Sequence, residues 1–452
     1  MKRSEINMHK QNDSTRWSGS RWFVMGALSL TLAGCSSLLD VENPNNVVQS
    51  DLEDASSVNA MVNGALAMAA EAVGDIAVST SSLSDELEHT GSQNWAAELN
   101  VGSIKNPEGR SDELFNDLSA ARWMSEEAIA IAEEFSTVLT NPTDLARAYL
   151  ISGIVYMTIA DNFEDFTFSN RTEVGPPIGE ANMHTVYDIA LERLGSAASE
   201  ANARGASGIA TAALALQARV HWAKELWGKL NPAGSAPSNP LINNSTANSL
   251  AAQVLGTLGT TSDWSWDFEY GPATQNNPQG SWINSRQEFA FSPLYVQLDA
   301  AGRTVVDVTY PDPVDGTVDP AIDEIISGFI SDFLYPSLPV ISARELHLIL
   351  AEAALAGGDE DGAVTHLNHV RAIKGSSAYD PTAAGAPSVL EMLQHERLVN
   401  LFFMPTRRIA DQYRFDVVAP SWAPGSDAMR NGQMFIIGQS ENVSNCYILG
   451  TC

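Results

Sequence analysis

Apolar positions recur at three- and four-residue spacing along most of the chain, which is the periodicity of amphipathic helices. Ala55 to Val73 and Leu114 to Phe135 carry this pattern. Thr143 to Ile159 carries it most clearly. Leu145, Ala148, Ser152, Val155 and Ile159 fall on one face there, with Tyr149 and Tyr156 beside them. Thr143, after Pro142, is placed to cap that helix. His184 to Glu200 and Ile209 to Leu230 follow; the second is rich in Ala, so a neighbouring helix can approach closely, and Asn231-Pro232 stops it. Ser342 to Ala356 is apolar nearly all round, which predicts a buried helix. Gly357-Gly358 ends it, Asp359 or Asp361 can cap the next, and Ala363, Leu367 and Val370 face inward as far as Gly375. A last helix runs from Val389 to Phe403, ends at Pro405, and leaves an irregular tail.

Between about Asn231 and Val340 the texture changes. Pro, Gly, Asn and Ser crowd in, and Trp264, Trp266, Phe268, Tyr270, Trp282, Phe289, Phe291, Tyr295 and Tyr310 fall close together. A connection this long without clear period has a function or is disordered, and disordered segments are poor in aromatic residues. The expectation is a mainly α fold. A tetratricopeptide-like helical repeat scaffold carries a long irregular, aromatic-rich insert, although no strict self-match at the roughly 34-residue period is visible.

The start of the chain has a different logic. A basic leader (Lys2, Arg3, Lys10, Arg16, Arg21) precedes an apolar run, Trp22 to Ala33, and then Leu32-Ala33-Gly34-Cys35. This is the layout of a bacterial lipoprotein signal peptide; the apolar run is about a dozen residues, where a spanning helix needs about 20. The expected mature chain begins at lipidated Cys35 and is held to a membrane by its acyl chains. No other stretch is expected to span a bilayer. The expected division is a leader at 1–34, an anchor and tether at 35–50, helical parts at 51–230 and 341–452, and the insert at 231–340.

Charge narrows the partners. The chain has 25 basic and 55 acidic residues, and removing the leader's five basic and two acidic ones leaves 20 against 53. Nucleic acid and anionic lipid both require clustered Lys and Arg, so neither is an expected partner. Cys446 and Cys452 are an even pair that can form a disulfide in an oxidising compartment; free thiols are the alternative.

Several blocks carry a family resemblance. Cys35-Ser-Ser-Leu-Leu-Asp-Val-Glu-Asn-Pro44 resembles the mature start of SusD-like (RagB/SusD) lipoproteins. Glu345 to Ala353, Gly358-Asp359 and Leu367-Asn368-x-Val370-Arg371 are similar to that family's C-terminal helical signature. Glu396-Arg397 with Arg407 or Arg408 and Asp411 resembles its next block, and Arg147 to Asp165, Val186-Tyr187-Asp188 and Ala218-Arg219-Val220 resemble internal helices. Asn400, Met404-Pro405 and the tail Phe435 to Glu441 depart from the family pattern. The resemblance implies a surface lipoprotein of an outer membrane. It would cover a SusC-like TonB-dependent transporter, capture a nutrient such as an oligosaccharide, and catalyse nothing.

Sugar recognition needs flat aromatic faces and a few polar groups. Trp264, Trp266, Tyr270 and Trp282 supply such faces, with Asp263, Asp267, Glu269, Asn284 and Arg286 as hydrogen-bonding groups. Trp95, beside Asp85, Glu86 and Asn94, is a second candidate. The alternation from Trp264 to Phe268 would set three rings on one side of a strand, which can equally be a buried face. The alternative functions are an envelope scaffold without a small ligand and an envelope glycan hydrolase; nothing places two carboxylates at a catalytic separation. No cofactor is expected. His366 and His369, with His347 on the preceding helix, read as helix-packing residues, so no metal site is expected. The acidic loop from Asp312 to Asp319 lacks EF-hand spacing. Arg371, Arg397 and Glu352 are charges on mainly apolar helices and are expected to pair internally.

Overall fold

The computed structural model describes residues 54–170 and 173–452. The leader, Cys35 and the tether lie outside the described residues. Helices α1 (Val58–Leu83), α2 (Asn94–Asn100), α3 (Arg110–Glu134), α4 (Asp144–Asn162), α5 (His184–Ala203) and α6 (Ser207–Leu230) form the first part. Short links join most of them, so successive helices fold back and pack: α1 on α3 and α4, α4 on α5, α5 on α6. Small residues set the spacing. Gly153 of α4 lies so close to Leu194 of α5 that a Cβ there would sit 2.7 Å from the Leu side chain. Ala212, Ala213, Ala215 and Ala218 line the buried face of α6.

α1 extends a further ten residues beyond the apolar period, through Ser79-Thr80-Ser81-Ser82. Two of those hydroxyls are absorbed by the helix itself: Ser79 Oγ donates to the Asp75 carbonyl (2.6 Å) and Thr80 Oγ1 to that of Ile76 (2.9 Å). By length and composition α1 could cross a membrane, which corrects the expectation that no segment after the leader reaches that length. Here it is a core helix, with Val62, Ala65, Ala69, Ile76 and Ala77 fully buried. Thr143 occupies the cap position of α4, but its side chain does not cap; its hydroxyl donates to Asn141 Oδ1 at 3.0 Å.

The stretch read as irregular contains two helices. α7 (Ser245–Leu258) is capped by Asn244, whose side chain accepts from Thr246 and Ala247, and it packs between α6 and α9. α8 (Pro320–Asp332) begins with Asp319 as cap and Pro320 in the first turn. Around them lie three two-stranded antiparallel ribbons: β1 (Leu87–His89) with β3 (Phe289–Phe291), β2 (Ser265–Phe268) with β6 (Leu338–Ser342), and β4 (Val296–Leu298) with β5 (Val305–Val308). The rings of this region build a second core. Phe291 stacks on Phe403 at 4.9 Å, and Phe289, Tyr295, Phe329 and Phe402 join them.

The C-terminal part is α9 (Ala343–Ala356), α10 (Glu360–Lys374), α11 (Val389–Asn400) and α12 (Arg407–Phe415). Ser342 caps α9, Asp359 caps α10 through Gly362 N–H (2.9 Å), and Gly375 ends α10 in the left-handed region at φ 76°. α11 starts with a capping box between Ser388 and Glu391. In the tail, Cys446 and Cys452 form a disulfide with Cα atoms 5.0 Å apart.

Charged residues on the apolar helices are paired inside. Glu345 binds Arg407 through both oxygens (3.0 Å each) and approaches Arg219 at 3.2 Å; Arg219 also meets Asp161 at 2.8 Å. Asp411 bridges Arg397 and Arg414 at 2.8 Å each, and Arg414 also pairs with Glu352. Arg371 holds Glu396 (2.6 Å) and Asp312 (2.8 Å). All but Asp312 and Arg414 belong to the motif blocks, so much of the motif describes ion pairs that join α6, α9, α10, α11 and α12.

Candidate functional site: an aromatic and arginine cluster

Trp95 of α2 and Trp282 meet edge to face with ring centres 5.0 Å apart. Both indoles are half-buried. Phe289 of β3 lies 5.7 Å from Trp95. Arg110, the first residue of α3, places its guanidinium 4.5 Å over the Trp95 ring, and the exposed Arg286 lies 3.9 Å over the Trp282 ring. Cation–π contacts of this kind are favourable by about 0.5–2 kcal/mol each. Arg110 is held from three sides: Nε donates to Ser79 Oγ (3.0 Å), Nη1 to Glu113 (2.7 Å), and Nη2 to Asp75 of α1. Two turns along α3, Asp117 is pushed up to about 6, mainly by burial and then by the charge of Asp75.

The pairing of β1 with β3 brings these distant segments together, with His89 opposite Phe289 and Leu87 opposite Phe291. Glu288 secures the join. It is buried and its Oε2 accepts the backbone N–H groups of Ser92 (2.6 Å) and Gln93 (3.0 Å), which lead into α2. Burial raises the Glu288 pKa, but the Gln93 and Ser92 N–H groups outweigh it and hold the carboxylate below its ordinary value. Gly91 lies against Glu288 so closely that no Cβ fits. Gln287, between Arg286 and Glu288, adopts φ 54°, an uncommon conformation for a residue with a side chain. A small recess of about 10 Å³ beside Trp95 is lined by Glu98, Ser103, Asn106 and Arg110, with Asn106 Nδ2 donating to Glu98 at 3.0 Å. The result is a partly exposed ring pair bordered by a carboxylate, an amide and two guanidinium groups, with a guanidinium over one side of each indole.

The other sequence candidates lie elsewhere. Trp264 and Trp266 are half-buried against the main core, and Trp266 meets Phe268 edge to face at 5.2 Å. The alternating face of β2 is therefore turned to the core. Tyr270 is 8 % exposed and its hydroxyl donates to the Ala70 carbonyl of α1 at 2.7 Å. Asp85 and Glu86 are buried: Asp85 pairs with Arg408, and Glu86 accepts the Phe403 N–H at 2.9 Å. Burial pushes the Glu86 carboxyl up to about 7. Asp263 pairs with Arg344 and Lys374, and Asn284 donates to the carbonyls of Phe329 and Phe333. In the acidic loop, Asp312 is taken by Arg371 and Asp319 by His395 (2.8 Å), so those oxygens are engaged internally.

Three larger hollows do not include the candidate rings. One, of about 230 Å³, lies beside Tyr310, His395 and Arg408. Another, of about 180 Å³, lies beside α8 and β6, next to Ser337, Arg344 and Asn400. A narrower one, of about 50 Å³, lies among α4, α5, α6 and α12 beside Tyr187, Trp227 and Tyr413. Sequence reasoning missed Arg110, Glu288 and Phe289 as parts of the cluster, because only the β1–β3 pairing brings them to Trp95.

A mainly α protein of packed helix pairs, carrying an aromatic excursion whose rings meet an N-terminal loop, is the class defined so far. No family model and no curated protein sequence matches the chain. Solved structures do. A SusD-like carbohydrate binding protein from Bacteroides vulgatus superposes with a TM-score of 0.56 at 11% identity, covering 88% of this chain and 98% of its own. A SusD-like protein from Bacteroides thetaiotaomicron gives 0.59 at 14% identity, with 86% and 94% covered. A SusD superfamily protein from the same organism gives 0.58 at 14% identity, with 87% and 98% covered. The chain has the SusD-like fold.

Proposed function

We propose that this chain is a non-catalytic outer-membrane lipoprotein, anchored through lipid on Cys35, that binds a glycan and passes it to a SusC-like TonB-dependent transporter. The observation that supports the reading best is the Trp95–Trp282 pair, flanked by Arg110 and Arg286, on a SusD-like scaffold. Two partly exposed indoles from segments far apart in sequence meet at the rim of the second core and leave part of their ring surface open. The solved relative described as carbohydrate binding is consistent with a sugar as that ligand.

The test is titration calorimetry and affinity electrophoresis against a panel of neutral and acidic polysaccharides, including amylopectin, xylan, mannan and pectin. Trp95→Ala and Trp282→Ala are each expected to weaken binding by roughly tenfold while the unfolding midpoint stays within a few degrees, since one aromatic contact is worth about 0.5–1.5 kcal/mol beyond its area. Retained affinity in both variants would remove the proposed surface. Fatty-acid labelling lost in Cys35→Ala, and co-purification of a large barrel with the native chain, test the anchor and the partner.

A further inference from the structure

Outside the aromatic cluster, three histidines converge where α9 meets α10. His366 and His369 stand three residues apart on α10 and so share a face, and His347 reaches them from α9. Their ring centres are 5.0–5.9 Å apart, and one ligand-competent nitrogen from each lies within 4.8 Å of the other two. The sequence reading took them for packing residues, and the rings do make tilted and edge-to-face contacts. In addition, the Nδ1 atoms of His347 and His366 are turned to each other.

His347 is fixed in a ligand-ready state. It is 1 % exposed, and its Nε2 lies 3.2 Å from the Thr260 carbonyl. A carbonyl only accepts, so Nε2 carries the proton and Nδ1 presents a bare lone pair. A backbone carbonyl on the distal nitrogen is the usual second-shell device that orients a metal-binding histidine. The His347 Nδ1 faces His366 Nδ1 at 3.2 Å. Two nitrogens held at about 2.05 Å from one zinc ion at a tetrahedral angle stand about 3.3 Å apart, so this pair already has the required separation. The Nδ1 of His369 is buried without a hydrogen-bond partner, an arrangement that is costly unless something binds there.

We propose that His347, His366 and His369 form a binding site for a divalent transition metal, with zinc as the ion best matched. Three imidazoles without a carboxylate select zinc, copper or nickel over calcium and magnesium, which require oxygen donors. Three protein nitrogens leave a fourth coordination position, and it falls to water on the side where His366 and His369 are partly exposed. The bound ion would clamp α9 to α10 and, through His347, to the Thr260 loop that leads into β2.

The experiment uses the full processed chain without a histidine tag, stripped with chelator and kept in excess Mg²⁺ so that surface carboxylates are occupied. Zn²⁺ titration by calorimetry is expected to show one site. Co²⁺ in its place is expected to give the intense visible d–d bands of a tetrahedral ion. His366→Gln and His369→Gln, both at partly exposed positions, are each expected to weaken Zn²⁺ binding at least tenfold with an unchanged circular dichroism spectrum. His347→Gln should do the same, but the two α10 variants carry the test if that buried change impairs folding. Absence of stoichiometric Zn²⁺ binding, a weak octahedral Co²⁺ spectrum, or unaltered affinity in both α10 variants would overturn the site.

Discussion

Glu352 is the most demanding residue of the buried ion network, and its replacement by Gln gives a calculable outcome. Its carboxylate is 0 % exposed. It accepts from Trp222 Nε1 (3.1 Å), the Ile242 N–H (2.8 Å) and both terminal nitrogens of Arg414, and Arg397 approaches at 3.7 Å. Glu352→Gln preserves the shape and one acceptor oxygen but removes the charge. Arg397 and Arg414 then share Asp411 alone, which leaves one positive charge unbalanced inside the fold. Breaking a buried pair in this way costs about 3–5 kcal/mol. Unfolding entropy of roughly 2.1 cal/mol/K per residue over about 400 residues gives roughly 0.8 kcal/mol per degree. The melting midpoint should therefore fall by about 4–6 °C, read by circular dichroism or scanning calorimetry. The exposed pair Lys224–Asp188 is the control: Asp188→Asn should change stability by less than about 0.5 kcal/mol, because exposed pairs contribute little. A drop below about 1 °C for Glu352→Gln would refute the view that these charges lock the C-terminal helices.

Two further predictions concern other positions. Glu86 has an ordinary pKa of 4.5 and a folded value of about 7, raised by burial, so the folded state holds its proton more tightly. Its favourable contribution is complete below pH 4.5 and is lost as pH rises through 7. Glu86→Gln should consequently gain stability relative to the parent between pH 5 and pH 8 in urea unfolding, and a difference constant with pH would contradict this. Gly74 of α1 faces Pro278, where an added Cβ would sit 2.6 Å from the ring. Gly74→Ala should destabilise by about 1–3 kcal/mol through overpacking, against the small gain in helix propensity that an exposed site would show in the same assay.

The helical frame was legible because its signals are local. Apolar spacing located α3 to α6 and α9 to α11 to within a few residues, and glycine and proline marked several ends. Where the structure departs from that reading, a non-local or polar effect intervenes. α1 runs on because serine and threonine hydroxyls bond back to helix carbonyls, and α7 and α8 are announced only by Asn244 and Asp319 caps within loop-like sequence. The aromatic density of the insert was visible, but not its division into core and surface. Tyr270 and Trp282 look alike in sequence; one reaches the Ala70 carbonyl, and the other meets Trp95. Internal pairing of Glu352, Arg371 and Arg397 was expected from the cost of burying charge, though their partners required the fold.

This division of labour bears on how ligand choice is encoded. The cluster at Trp95 is assembled from the start of α2, the first turn of α3 and the helical turn around Trp282, apart from the ion pairs that join α6 and α9 to α12. Glu288 grips the Ser92–Gln93 backbone, and Arg110 is moored to Asp75 and Ser79 of α1, so the frame sets the ring geometry. Substitutions at Glu352 or Arg414 should then change stability with little change in affinity for a bound glycan. Substitutions at Trp95, Asn106, Trp282 or Arg286 should do the reverse. Ala96 and Ile283 tie both segments to the second core beside Val399 of α11, so the proposed glycan surface would vary at exposed positions such as Asn94 and Arg286 rather than along whole segments.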